Sequence, residues 1–109
     1  MNETIKKMLI QFCGNSNKMV AMLGTKKVIY NNEKNLFTFD FKMFKKANNC
    51  TLTYNYGSDD YTMEFFKIQK ATKKNNFETK IIEVKTFTNL YSDNLKNTFQ
   101  NFTGLYLSL

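Results

Sequence analysis

Apolar and aromatic side chains fall on alternate positions in three stretches of this chain, and polar turns separate them. Phe37, Phe39 and Phe41 share one side of an extended segment that begins at Leu36. Leu52, Tyr54 and Tyr56 do the same over residues 51–56, and Tyr61, Met63 and Phe65 do so in a segment running to about Gln69. A period of two marks a strand with one buried face, because successive side chains leave opposite sides of the backbone. Asn31-Asn32-Glu33-Lys34-Asn35 and Gly57-Ser58-Asp59-Asp60 are rich in residues that close turns by local hydrogen bonding or by adopting positive φ. The segments therefore pair as two hairpins, one joining Val28 and Tyr30 to 36–41 and one joining 51–56 to 61–69. Lys45 to Asn49 reads as the loop between them. A fifth strand is expected from Thr79 to Phe87, where Ile82 and Val84 oppose Ile81 and Glu83 in a mixed alternation.

The two ends follow a helical period instead. Ile5, Met8, Leu9 and Phe12 lie at i, i+3, i+4 and i+7, which places them on one stripe with Lys6 and Lys7 turned away, and Gly14 ends the run. Asn15-Ser16-Asn17 can cap a second short helix from Lys18 to Leu23, closed by Gly24, although the same residues also suit a strand. Leu95, Phe99 and Phe102 mark a closing helix that Ser92 or Asp93 can cap and Gly104 ends, with Leu105 folding back on its last turn. The expected fold is a small single α+β domain over residues 1–109. Its antiparallel sheet of four to five strands in hairpins carries the N-terminal and C-terminal helices on one face.

Charge bounds function more loosely than it bounds partners. Every cation among the 109 residues is one of sixteen lysines, set against nine acidic residues for a net charge of +7. A field of that sign concentrates anions, which points to a nucleic-acid backbone or an acidic protein groove. Lysine lacks the planar fork that reads guanine, so sequence-specific base reading is not expected. A chain rich in Lys, Asn, Ile, Phe and Tyr and without Arg, Pro or Trp is also what an AT-rich genome encodes, so the charge has two possible sources. Candidate contacts are the lysines of the two expected loops, Lys42, Lys45, Lys46, Lys67, Lys70, Lys73 and Lys74, which must stay largely in solvent. Tyr54 and Tyr56 join them as candidate stacking surfaces, if they are exposed.

Catalysis finds little to work with. No histidine is present to serve as a base beside a nucleophile. Asp59 and Asp60 fall in an expected turn, and the four glycines are isolated rather than grouped in a phosphate loop. Cys13 and Cys50 stand far apart without histidine, which reads as two idle or buried thiols and no metal site. The expectation is a protein that is not an enzyme, with no cofactor, no metal, no membrane span and no small-molecule substrate. The start, Met1-Asn2-Glu3-Thr4, lacks the pattern of a secretory signal, and a cytoplasmic location follows as an expectation.

Three segments carry a resemblance. They are Asn17-Lys18-Met19-Val20-Ala21-Met22-Leu23-Gly24-Thr25-Lys26, then Asp60-Tyr61-Thr62-Met63-Glu64-Phe65, and the closing run from Tyr91-Ser92-Asp93-Asn94-Leu95 through Thr103-Gly104-Leu105-Tyr106-Leu107-Ser108-Leu109. Together they resemble a family of small bacteriophage and mobile-element proteins. The lysine-rich loop around residues 70–80 is longer here than in that family. The resemblance implies a phage or plasmid setting in a bacterial host and brings no catalytic residues. In that setting small binding proteins often block host defence, and the reading that follows is an anti-CRISPR type inhibitor. Its partner would be a host CRISPR effector protein, its guide RNA, or both, engaged as a monomer or small homo-oligomer. Two alternatives stand beside it: a general single-stranded nucleic-acid-binding protein of phage replication, and a structural or assembly homo-oligomer.

Overall fold

The structure, a computed structural model, describes residues 2–14, 23–71, 73 and 78–105. Helix α1 spans Glu3–Phe12 and is followed by strands β1 (Val28–Asn31), β2 (Leu36–Asp40), β3 (Asn49–Asn55), β4 (Asp60–Gln69) and β5 (Lys80–Leu90), then helix α2 (Leu95–Thr103). The strands form one antiparallel sheet in the order β1-β2-β3-β4-β5, a meander in which every neighbour in sequence is a neighbour in space. The expected α+β architecture is what is observed. The second short helix expected from Lys18 lies outside the described residues up to Met22.

Alternation places the core. Phe37 and Phe39 on β2, Cys50 and Leu52 on β3, and Met63 and Phe65 on β4 are all buried on the face that receives the helices. Ile5, Met8, Leu9 and Phe12 come down from α1, and Leu95 and Phe99 from α2. Phe99 is the hub of the aromatic packing. Its ring lies 5.3 Å from Phe12, 5.9 Å from Phe39, 5.3 Å from Phe41 and 5.8 Å from Phe65. Edge-on and tilted pairs at such distances each add about 0.5–1.5 kcal/mol beyond simple burial. Cys13 and Cys50 are both buried, and burial pushes the Cys50 thiol well above its ordinary range, with Glu64 adding to the shift.

The opposite face carries a polar row with Ile29 at its β1 end. Thr38 and Thr51 are hydrogen-bonded through their hydroxyls at 2.9 Å, and register continues that row through Glu64 to Thr86. Among the described residues no helix is long and apolar enough to cross a membrane.

Three details differ from the sequence reading. Strand β5 runs on to Leu90 and slips register twice against β4, once between Phe65 and Phe66, so that Val84 is an extra residue, and again between Tyr61 and Met63. A bulge of this kind moves side chains to the other face, which is why the alternation in β5 looked mixed. Helix α2 begins at Leu95 after Asn94 rather than after Ser92 or Asp93. The Asn94 side chain does not cap the helix but accepts the Tyr91 backbone N–H at 3.3 Å, closing the preceding turn. Finally, β3 ends at Asn55, and Tyr56 stands in the turn rather than on the strand, 84% exposed.

Candidate functional site

Two side chains shape one end of the sheet. Asp40, the last residue of β2, accepts the backbone N–H groups of Lys26 and Lys27 on Oδ1, each at 3.0 Å. The buried Thr25 hydroxyl donates to the Asp40 carbonyl at 2.7 Å, and Lys42 N–H donates to the Leu23 carbonyl at 2.9 Å. Residues 23–27 are thereby laid alongside 40–42. Gly24 has φ +67°, and a Cβ there would come within 3.1 Å of the Lys42 Cδ, so the Lys42 stem rests on the bare glycine.

Asn48 shapes the other side. Its Nδ2 donates to the Ile68 carbonyl at 2.9 Å and its Oδ1 accepts the Ile68 N–H at 2.8 Å. Its backbone N–H donates to the Phe66 carbonyl and its carbonyl accepts the Phe41 N–H, both at 3.0 Å. The side-chain amide acts as an additional peptide rung, joining the loop over residues 41–48 to the far end of β4.

Between these two constraints lies a cleft of about 630 Å³. Lys26 and Lys27 stand on one side, Lys42 at the loop, and Lys67 and Lys70 at the end of β4. Asp40 is the one carboxylate among the described residues that line it, and one of its oxygens is already committed to backbone N–H groups. The remaining lining includes Ile29, Met43, Phe44 and Ile68. Ile29 is 50% and Met43 73% exposed, a larger exposure than side chains of this kind have in the core. Met43 also has φ +72°. The other non-glycine residues with positive φ among those described are Asn35, Asp59 and Asn89, types that tolerate the left-handed region, whereas for Met it is a strained conformation.

The candidate residues separate into three groups. Lys42, Lys67 and Lys70 are brought together in the cleft. Lys45 and Lys46 are exposed on the 41–48 loop but do not line it, Lys73 is exposed farther along, and Lys74 lies outside the described residues. Tyr54 and Tyr56 stand at the opposite end of the sheet. Six residue steps of β3 separate Asn49 from Asn55, which at the rise of an extended strand is about 20 Å. Nor is Tyr54 a bare stacking surface, because its ring packs on Tyr61 at 5.2 Å and its hydroxyl donates to Asp59 at 2.5 Å. The loss of that bond on ionisation, with burial and the Asp59 charge, pushes the Tyr54 phenol up to about 12. Just after that turn, at the first position of β4, Asp60 accepts Ser58 Oγ at 2.7 Å and Asn55 Nδ2 at 3.0 Å, which holds its carboxyl below the ordinary value. These carboxylates act as turn chemistry, as their place in the sequence led one to expect.

Lys26 and Lys27 were missed. Their signal was an adjacent pair of lysines just ahead of a strand whose partner ends at Asp40, beside the already suspected Lys42. Chemically the cleft can hold an anion that also carries an apolar surface. Five lysines and several apolar side chains line it, and a lysine ammonium binds phosphate as a point charge rather than reading a base edge. Among the described residues no group of three or more His, Cys, Asp or Glu is placed to hold a metal ion. Comparison with protein-family models, curated proteins and solved structures found no match to this chain.

Proposed function

We propose that this chain is a non-enzymatic binding protein whose lysine-walled cleft grips the phosphate backbone of a nucleic acid. One observation carries the reading: five lysines from three separate parts of the chain line a single concave site with one partly committed carboxylate. Coding bias raises the number of lysines without directing them to one place. An acidic protein surface satisfies the same charge, and the binding experiment separates the two.

In the phage setting that the sequence resemblance implies, the polyanion is the guide RNA of a host defence nuclease, and the protein acts as an anti-CRISPR type inhibitor. General single-strand binding in phage replication is the alternative. The two differ in whether an effector is needed.

The test is binding of the purified protein to labelled structured RNA, single-stranded RNA and DNA over a range of salt, alongside a Lys42→Gln/Lys67→Gln variant. The logarithm of the binding constant is expected to fall with the logarithm of salt, with a slope of about −0.7 per phosphate contacted on a single strand. The double variant should bind more weakly and with a shallower slope. Cleavage by guide-loaded effectors from the host, assayed with both proteins, then separates inhibition from general binding. Absence of salt-dependent binding to any nucleic acid at low salt would overturn the proposal and turn the search to acidic proteins.

A further inference from the structure

We infer that the cleft takes an unpaired nucleotide, with the base against Met43 and the apolar lining beside it and the flanking phosphates on the lysines at either side. This rests on the nucleic-acid reading above and narrows it to single-stranded or bulged strands. Duplex nucleic acid is the excluded form.

The placement of the lysines is the first ground. Lys26 and Lys27 precede β1, whereas Lys67 lies near the end of β4 and Lys70 just past it, three strand positions across the sheet. At the usual spacing between strands that is about 14 Å of backbone separation. A strand crossing the cleft meets positive charge on both banks, with Ile29 on one bank, Ile68 on the other, and Met43 and Phe44 on the loop that joins the two intervening strands. A volume of about 630 Å³ falls inside the range of roughly 300–1,000 Å³ typical of pockets that bury small molecules. It suits a base with its sugar and does not suit the body of a duplex.

The second ground is what the floor is made of. A duplex presents phosphates and groove edges to a surface but keeps its base faces stacked inside, so an apolar floor gains nothing from it. An unpaired base brings an exposed π-face, and unpaired positions are where proteins contact base faces in RNA. Met43 supplies a polarisable thioether of the kind that packs well on aromatic rings. Its backbone is held in the left-handed region by the 41–48 loop, so its side chain is kept at the cleft at a conformational cost. Strain retained at an exposed residue beside a basic cleft is what a binding role explains and packing does not.

The third ground is the ordering already present. The Lys42 stem lies against Gly24, and the loop is fixed to β4 by Asn48, so part of the ordering that a ligand would otherwise impose exists before it arrives. The chain has no arginine for two-point contacts with guanine, the Asn48 amide is taken by Ile68 and Asn49 is buried, so recognition is tolerant of sequence.

The experiment compares three RNAs of one sequence: a single strand, a perfect duplex, and a duplex with one bulged nucleotide. The bulged or single-stranded position carries 2-aminopurine, whose fluorescence reports a change in stacking. Wild type is expected to bind the single strand and the bulged duplex about tenfold or more tighter than the perfect duplex, with a fluorescence change at the labelled base. Met43→Ser should weaken single-strand binding several-fold while leaving the salt slope unchanged, and Ile29→Ser should act in the same direction. Lys42→Gln should instead reduce the slope by about 0.7. Equal affinity for the perfect duplex, or wild-type binding by both apolar variants, overturns the inference and leaves a backbone clamp. Absence of binding to all three RNAs overturns the nucleic-acid reading itself. Met43 and Ile29 are both well exposed, so a thermal melt suffices to show that the variants are folded.

Discussion

The side chain of Asn48 is bonded at both ends to the backbone of Ile68, donating at 2.9 Å and accepting at 2.8 Å across a sequence separation of 20 residues. This pairing holds the 41–48 loop against β4 and so brings Lys67 and Lys70 to the cleft that Lys42 enters from the loop. Asn48→Ala leaves a part-buried carbonyl and N–H without these partners. A loss of about 2–3 kcal/mol is expected, at the upper end for two such bonds. Urea unfolding should show a lower midpoint at unchanged slope. Asn48→Asp keeps the acceptor but turns a carboxylate oxygen toward the Ile68 carbonyl, and should be at least as damaging at neutral pH.

Gly24 tests the opposite wall. Alanine there must hold φ near +67° and place its Cβ about 3.1 Å from the Lys42 stem. The left-handed conformation costs a non-glycine residue about 1–2 kcal/mol. The flexible lysine end yields to the Cβ, so Gly24→Ala should lower stability by about that amount, read from urea unfolding, and displace Lys42 from its seat. Weaker anion binding with the fold retained is the expected result.

Met43 should behave in the reverse sense. Its side chain is 73% exposed and adds little packing, while its backbone has φ +72°. Met43→Gly is therefore expected to raise stability by up to about 1 kcal/mol, once the greater freedom of glycine in the unfolded chain offsets part of the relieved strain. A higher melting temperature together with poorer RNA binding would show that a methionine at this strained position serves binding rather than stability. A lower melting temperature would refute the strain argument.

Phe99 is the test of the core. Four aromatic rings from α1, β2, the residue following β2, and β4 meet its ring within 6 Å. Phe99→Ala should cost about 3–5 kcal/mol, a large part of the 5–15 kcal/mol that holds a typical domain together. Circular dichroism in urea should show a much lower midpoint or a chain that no longer folds. Phe99→Leu should recover much of the loss.

Tyr54 sets an alkaline limit. In the folded chain its phenol is pushed up to about 12, above its ordinary value of 10, because the hydroxyl donates to Asp59 and burial and the nearby carboxylate disfavour the phenolate. The folded state thus keeps a proton that the unfolded chain gives up near pH 10. Its contribution is fully present below pH 10 and is lost as pH rises toward 12. Ultraviolet titration of the native protein should show a late-ionising phenol that disappears in Tyr54→Phe, and that variant should lose less stability between pH 10 and 12 than wild type.

The fold was legible where periodicity is local. Phe37 and Phe39 are buried as alternation implied, and Ile5, Met8, Leu9 and Phe12 form the buried stripe that their spacing implied. Strand β5 was harder to read because a bulged strand breaks its own period, and Val84 is the residue at which it does so. Lys42, Lys67 and Lys70 were nominated because lysines stay in solvent, but the same argument nominated Lys45 and Lys46, which lie outside the cleft. Tyr56 continued the alternation of 51–55, yet it stands in the turn, where pairing has ended and nothing enforces a face.

The sequence by itself determined a two-layer α+β domain with an aromatic core, because burial of alternate and helical stripes depends only on neighbours a few residues apart. It also determined an excess of positive charge without saying where that charge acts. Only the tertiary structure decided that Lys26 and Lys27 share a cleft with Lys67 and Lys70. That decision rests on Asp40 bonding backbone 13 and 14 residues earlier and on Asn48 bonding backbone 20 residues later. Hydrogen bonds between distant segments follow from where the folded strands lie, and no local pattern of residues encodes which donor will meet which acceptor.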